Sequence, residues 1–156
     1  MAMDSARRVA SASAEAARAR RTAISWSLSR PAEAEEEKGR GAGDFWQDEL
    51  PTGVDGILLS MVLHDWSQEE GLPLLQKCAS ALPRGGKILI YEQLLDEDLC
   101  GPATACLTNL LMLLRTRSGA EYSESQYRDI RSRAGFGSIG VIRTPGLRQL
   151  IHAVRL

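Results

Sequence analysis

The stretch LSMVLHDWSQEEG, Leu59 to Gly71, ends an apolar run on His64, one of only two histidines in the chain, with Asp65 and Trp66 directly after it. A turn built only for structure needs neither an imidazole nor a carboxylate. An imidazole, with an ordinary pKa of about 6.5, exchanges its proton near neutrality, and a carboxylate beside it fixes which ring nitrogen carries that proton. The chemistry on offer is proton transfer. Glu92, in KILIYEQ, stands near the end of a second apolar run in the same manner. The three cysteines, Cys78, Cys100 and Cys106, have no CxxC spacing, so reduced thiols are expected, with no zinc site, no other metal and no disulfide framework.

Both residues need strands to aim them. VDGILLSMVL, Val54–Leu63, is a near-continuous apolar run bounded by LPTG, which predicts a strand buried on both faces. Ser67 and Glu70 match a capping box, and Leu72, Leu75, Cys78, Ala79 and Leu82 follow at helical spacing. Pro73 either kinks that helix or sits in the first turn of one that starts late. LPRGG stops it, and Lys87–Gln93 is a second buried strand. Gly101-Pro102 opens an apolar helix through Leu107, Leu110, Leu111 and Leu114, which reads as core. Ser123 with Gln126 caps another, carrying Tyr127 and Ile130 and ending at Gly135. SIGVIRT and LRQLIHAVRL, joined by Pro145-Gly146, predict a closing antiparallel hairpin, with His152 a structural group in its second strand. The fold class is α/β with a mostly parallel sheet. Such sheets bind ligands beyond the carboxyl ends of their strands, so His64 and Glu92 should face one crevice.

The 156 residues suffice for one ordinary domain, and 44% apolar against 25% charged residues is a globular composition. A net charge of −1 gives no reason to expect nucleic acid or an acidic membrane as partner. The average hides an asymmetry: residues 1–30 carry a net +4, residues 31–70 a net −9 and residues 71–156 a net +4. Residues 1–42, rich in Ala, Ser and Arg and then acidic and glycine-rich, are expected to be a disordered or partly helical tail, with the ordered domain from Gly43. No apolar run has the length of a membrane span and the N-terminus has no apolar signal core, so a cytoplasmic protein is expected.

Taken together and in order, GDFW, LHDWSQEEG, LPRGGKILIYEQLLDED and AGF resemble the C-terminal part of the S-adenosylmethionine-dependent O-methyltransferases, most closely the acetylserotonin branch and beside it the plant phenolic enzymes. The resemblance covers Gly43 to Leu156. It implies part of a Rossmann-like class I methyltransferase fold, S-adenosylmethionine as cofactor and a small aromatic hydroxyl, N-acetylserotonin in that branch, as methyl acceptor. It implies His64 as general base, oriented by Glu92 and Glu121. It places Asp44, Phe45 and Trp46 against the adenosyl group, and Asp65, Leu111 and Arg115 against the acceptor.

The departures from the family are also legible. Its N-terminal dimerisation domain and its first strand with the DxGGGxG-type loop have no counterpart in residues 1–42; GRGAG, Gly39–Gly43, has glycines but no preceding strand. Met61 stands where that branch tends to carry an arginine, and Leu111 and Arg115 replace an asparagine and a glutamine. The chain reads as a truncated member, expected on its own to hold the cofactor weakly and to lack the family's dimer contacts. Two readings follow: an O-methyltransferase with His64 as base, or a non-catalytic fragment acting through protein association.

Overall fold

A computed structural model describes residues 44–156; the tail expected over 1–42 and its boundary at Gly43 lie outside them. The chain runs β1 (Gly56–Ser60), a single 3-10 turn (Leu63–Asp65), α1 (Gln68–Ala81), β2 (Lys87–Leu95), α2 (Ala103–Arg115), β3 (Tyr122–Ser123), α3 (Glu124–Arg133), β4 (Phe136–Ile142) and β5 (Arg148–Arg155). The sheet order is β1-β2-β5-β4, with β3 pairing beside the end of β2. β1 and β2 are parallel, with Gly56 opposite Lys87 and Ser60 opposite Tyr91. The expected hairpin is present: β5 lies antiparallel between β2 and β4.

Local chemistry explains most boundaries. Ser67 and Glu70 make the reciprocal capping box of α1, and Ser123 and Gln126 that of α3. Gly85 and Gly135, at φ 81° and 91°, make the left-handed turns that follow α1 and α3. α1 begins at Gln68, so Pro73 lies inside the helix and the late start is excluded. The core is apolar and closely filled: Leu59, Leu74, Leu75, Cys78, Ile88, Ile90, Tyr127, Phe136 and Ile151 are nearly inaccessible. Each such large side chain contributes about 1.5–3 kcal/mol on burial.

Two expectations need correction. The first strand is shorter than Val54–Leu63, because Met61 takes a left-handed φ of 58° and the chain then coils into the 3-10 turn. His64 therefore sits one turn past the strand. The leucines of α2 are not core. Leu107, Leu110, Leu113 and Leu114 are 67%, 56%, 69% and 78% exposed, and Leu111 is 40% exposed; Ala105 and Met112 are the buried residues of this helix. Helical spacing identifies an apolar face, but it does not say what covers that face.

Candidate active site

His64, Glu92 and Glu121 meet at the carboxyl ends of β1 and β2. Each offers an atom that lies within 4.8 Å of those of the other two, and all three side chains are buried. Glu92 is in the second half of β2, and its carboxylate turns back over the end of β1. One oxygen accepts the backbone N–H groups of Val62 and Leu63, at 2.8 and 3.0 Å. The other lies 2.6 Å from His64 Nδ1. The two amide bonds draw the chain out of the strand and form the turn that presents the imidazole. Nε2 stays open, 3.6 Å from Asp65 Oδ1.

Glu121 arrives on the segment between α2 and β3. Its backbone N–H donates to Asn109 Oδ1 at 2.9 Å, and its neighbour Gly119 packs directly on the carbonyl of His64. A Cβ at residue 119 would overlap that oxygen, so only glycine allows this approach. Glu121 is 3% exposed, and neither of its carboxylate oxygens has a hydrogen-bond partner among the described residues.

The charges follow from this packing. Burial alone would lower the His64 pKa, but the Glu92 hydrogen bond and the charges of Glu92, Glu121 and Asp65 outweigh it and hold the ring up at about 9. Burial pushes Glu121 up to about 7, against the opposing charge of His64. Burial likewise raises the Asp65 pKa from its ordinary value, against the opposing charge of His64. The cluster thus holds an imidazolium clamped by one carboxylate and faced by a second that gains or loses its proton near neutrality.

Asp44, Phe45 and Trp46 lie on the adjoining side. Asp44 accepts the Trp46 N–H at 2.9 Å and the Gln47 side chain at 3.0 Å, closing a turn that Lys77 of α1 ties down through the carbonyls of Phe45 and Asp48. Phe45, Trp46 and Trp66 form an aromatic cluster, with centroids 5.0 Å apart between the two indoles. Trp46 Nε1 is buried with no partner among the described residues, an N–H that a ligand acceptor would satisfy. Leu111 and Arg115, one helical turn apart on α2, are both exposed. Arg115 influences the charge of Asp65.

One neighbour escaped sequence reading. Arg148, the first residue of β5, donates through Nε to Met61 Sδ, and its charge is felt at Glu121. The hairpin signal placed this residue in a strand, but nothing local linked it to a histidine more than eighty residues upstream.

The profile of the O-methyltransferase domain matches residues 25–137, starting upstream of the boundary expected at Gly43. The 3-hydroxy-5-methyl-1-naphthoate 3-O-methyltransferase of Streptomyces sahachiroi is 40% identical over 116 residues, 73% of this chain and 33% of that protein. Acetylserotonin O-methyltransferase of Bos taurus is 40% identical over 111 residues, 71% of this chain and 32% of that one. Among solved structures, human N-acetylserotonin methyltransferase in complex with SAM superposes with a TM-score of 0.72 at 35% identity, covering 80% of this chain and 36% of that one. An O-methyltransferase family 2 protein from Planctomyces limnophilus, in complex with apigenin, gives 0.68 at 37% identity, with coverages of 74% and 34%. The chain spans about a third of the length of the curated relatives it matches.

Proposed function

Because this chain belongs to the O-methyltransferase family and carries the C-terminal part of its class I α/β fold, we propose that it provides the proton-abstracting side of a site that methylates an aromatic hydroxyl. The observation that carries this reading is the buried His64–Glu92 contact with Nε2 left open. A phenol-type hydroxyl has a pKa of about 10 and is scarcely ionised at neutral pH, so its oxygen attacks well only as its proton leaves. His64 Nε2 takes that proton once the ring is neutral. Glu92 keeps Nδ1 protonated and stabilises the imidazolium that forms. Glu121 adds a second negative charge facing the ring.

S-adenosylmethionine, when bound, supplies the electrophilic methyl group. The residues present fit one wall for it: Trp46, half-buried and backed by the buried Phe45, offers apolar surface, and its Nε1 is an unsatisfied buried donor. Asp44 shapes that wall through its turn. On the acceptor side stand Asp65, Leu111 and Arg115. The relatives named above act on a hydroxynaphthoate and on an acetylserotonin, which supports an aromatic hydroxyl as acceptor class, N-acetylserotonin being one member. We also assign residues 43–156 to the methyltransferase part, which the family profile extends upstream to residue 25.

The second reading, a non-catalytic fragment acting by association, draws support from the outer edge of β1, which pairs with nothing among the described residues. Labelled-methyl transfer by the 156-residue chain decides between them. Turnover that falls about 10²- to 10⁴-fold in His64→Gln supports the base. A variant that keeps full turnover removes His64 from that role. No transfer, together with no binding of S-adenosylmethionine by calorimetry, favours association.

A further inference from the structure

Within the buried cluster two carboxylates, Glu92 and Glu121, face a single imidazole. Even with the ring protonated, one negative charge is in excess there. Glu92 is satisfied, one oxygen by the Val62 and Leu63 amides and the other by His64 Nδ1 at 2.6 Å. Glu121 is not: both its oxygens are buried and lack a hydrogen-bond partner among the described residues. A buried carboxylate without donors is costly, and such a group calls for a ligand or an ion. Asp65, 3.6 Å from the other ring nitrogen, is half-exposed and lies outside this set.

We propose that His64, Glu92 and Glu121 form a zinc site, and that zinc on Nδ1 holds the imidazole in the form that cannot accept a proton. One imidazole nitrogen and two carboxylate oxygens are donors that zinc takes, and here they lie within 4.8 Å of one another. The absence of zinc expected from cysteine spacing concerns thiolate sites and does not reach this one. Zinc bonds of about 2.0–2.2 Å in tetrahedral geometry hold ligand atoms about 3–3.5 Å apart. The 2.6 Å contact of Glu92 with Nδ1 must open slightly and Glu121 must close in, which its lack of hydrogen bonds permits. A dication, two carboxylates and a neutral ring then sum to zero charge. Zinc takes the Nδ1 lone pair, and the proton there leaves to solvent. The ring's remaining proton sits on Nε2, the nitrogen that would otherwise receive the hydroxyl proton. Magnesium, which keeps its waters and prefers oxygen ligands, suits the site poorly. Binding stands apart from the reading of His64 as base; the silencing rests on that reading.

The test is calorimetric titration of zinc chloride into the 156-residue chain. The protein carries Cys100→Ser and Cys106→Ser, which remove the two thiols that solvent reaches; Cys78 is buried. One zinc should bind per chain, and magnesium chloride should not displace it. Glu121→Gln should weaken binding at least about tenfold, since losing even an outer-shell partner of a metal costs about 10–100-fold. The Glu121 oxygens hold no hydrogen bonds among the described residues, so this variant should fold. His64→Gln should weaken binding at least as much, and His152→Gln, at the other histidine, should leave it unchanged. Ring nitrogen NMR of the zinc-bound protein should show the metal on Nδ1 and the proton on Nε2. No binding at millimolar zinc, an affinity that survives the His64→Gln, Glu121→Gln double variant, or a proton retained on Nδ1 with zinc bound would overturn the proposal. Methyl transfer that persists in His64→Gln would overturn the silencing alone and leave the zinc site in place.

Discussion

Glu92 holds His64 twice over: one carboxylate oxygen lies 2.6 Å from the ring Nδ1, and the other accepts the N–H groups of Val62 and Leu63, the residues that lead into the histidine. Ring and turn are therefore fixed by a single side chain with no exposed surface. The strand end and the proton acceptor are one construction.

Glu92→Gln keeps the shape and removes the charge. An amide oxygen still accepts the two N–H groups, but nothing of opposite sign then faces Nδ1 at contact distance. The His64 pKa should fall well below about 9, because burial is no longer outweighed. An NMR titration of the ring checks this, and an unmoved midpoint would show that Glu92 does not set the proton affinity. Urea unfolding should show a loss of about 1.5–3 kcal/mol, the range for a hydrogen bond to a charged group.

Stability should decline as pH rises. His64 has a folded pKa of about 9 against 6.5 for the free side chain, so its proton favours the fold. That contribution is complete below pH 6.5 and is lost as pH climbs through 9, with a size of about 3 kcal/mol. Glu121 is also raised, from 4.5 to about 7, so it stabilises below pH 4.5 and ceases to do so by pH 7. Urea midpoints at pH 6, 7.5 and 9 should fall in that order. His64→Gln should flatten the upper step, and a wild-type midpoint that rises toward pH 9 would contradict the assignment.

Gly119→Ala should disturb the site from outside it. The added methyl overlaps the His64 carbonyl, so the loop bearing Glu121 must shift. We expect a stability loss of about 1–3 kcal/mol and a lower His64 pKa, as the Glu121 charge moves away. A variant with wild-type stability and an unchanged ring titration would show that the contact has no such role.

The α2 leucines and its buried methionine should behave oppositely. Leu110→Lys and Leu114→Lys alter side chains that are 56% and 78% exposed, and each should change unfolding free energy by no more than about 0.5 kcal/mol. Met112→Ala, at 7% exposure, should cost about 2–5 kcal/mol. Equal costs at all three positions in urea unfolding would mean that the leucine face is covered in solution.

Much of this was legible from residue order. Two apolar runs ending near His64 and Glu92, capping boxes at Ser67 and Ser123, and a Pro-Gly turn each carry a local signal, and each produced the expected element. What stayed hidden depends on distance or on coverage. Glu121 is named by the family resemblance, but its local pattern alone is that of a loop acid, and the packing of Gly119 on His64 is what brings its loop to the ring. Arg148 acquires its orientation from Met61, which is close in space and remote in sequence. Arg131 has the composition of a surface residue yet is fully buried, its guanidinium bonded to the carbonyls of Tyr127 and His152. The α2 face shows the converse: a pattern that reads as core, left open to solvent.

The outer margin of β1 provides a clock. Lys87 N–H bonds Asp55 O and Met61 N–H bonds Tyr91 O, and in a parallel ladder successive residues alternate in direction. The amides of Ile57, Leu59 and Met61 therefore point to β2, and those of Gly56, Leu58 and Ser60 point away from it. In deuterated solvent the first set should be slow and the second fast wherever nothing lies alongside. Any polypeptide that adds a strand there, from residues 1–43, from a second copy or from another protein, slows three alternate amides and leaves their neighbours as they were. Isotope uptake at Leu58 thus reports whether the sheet is extended.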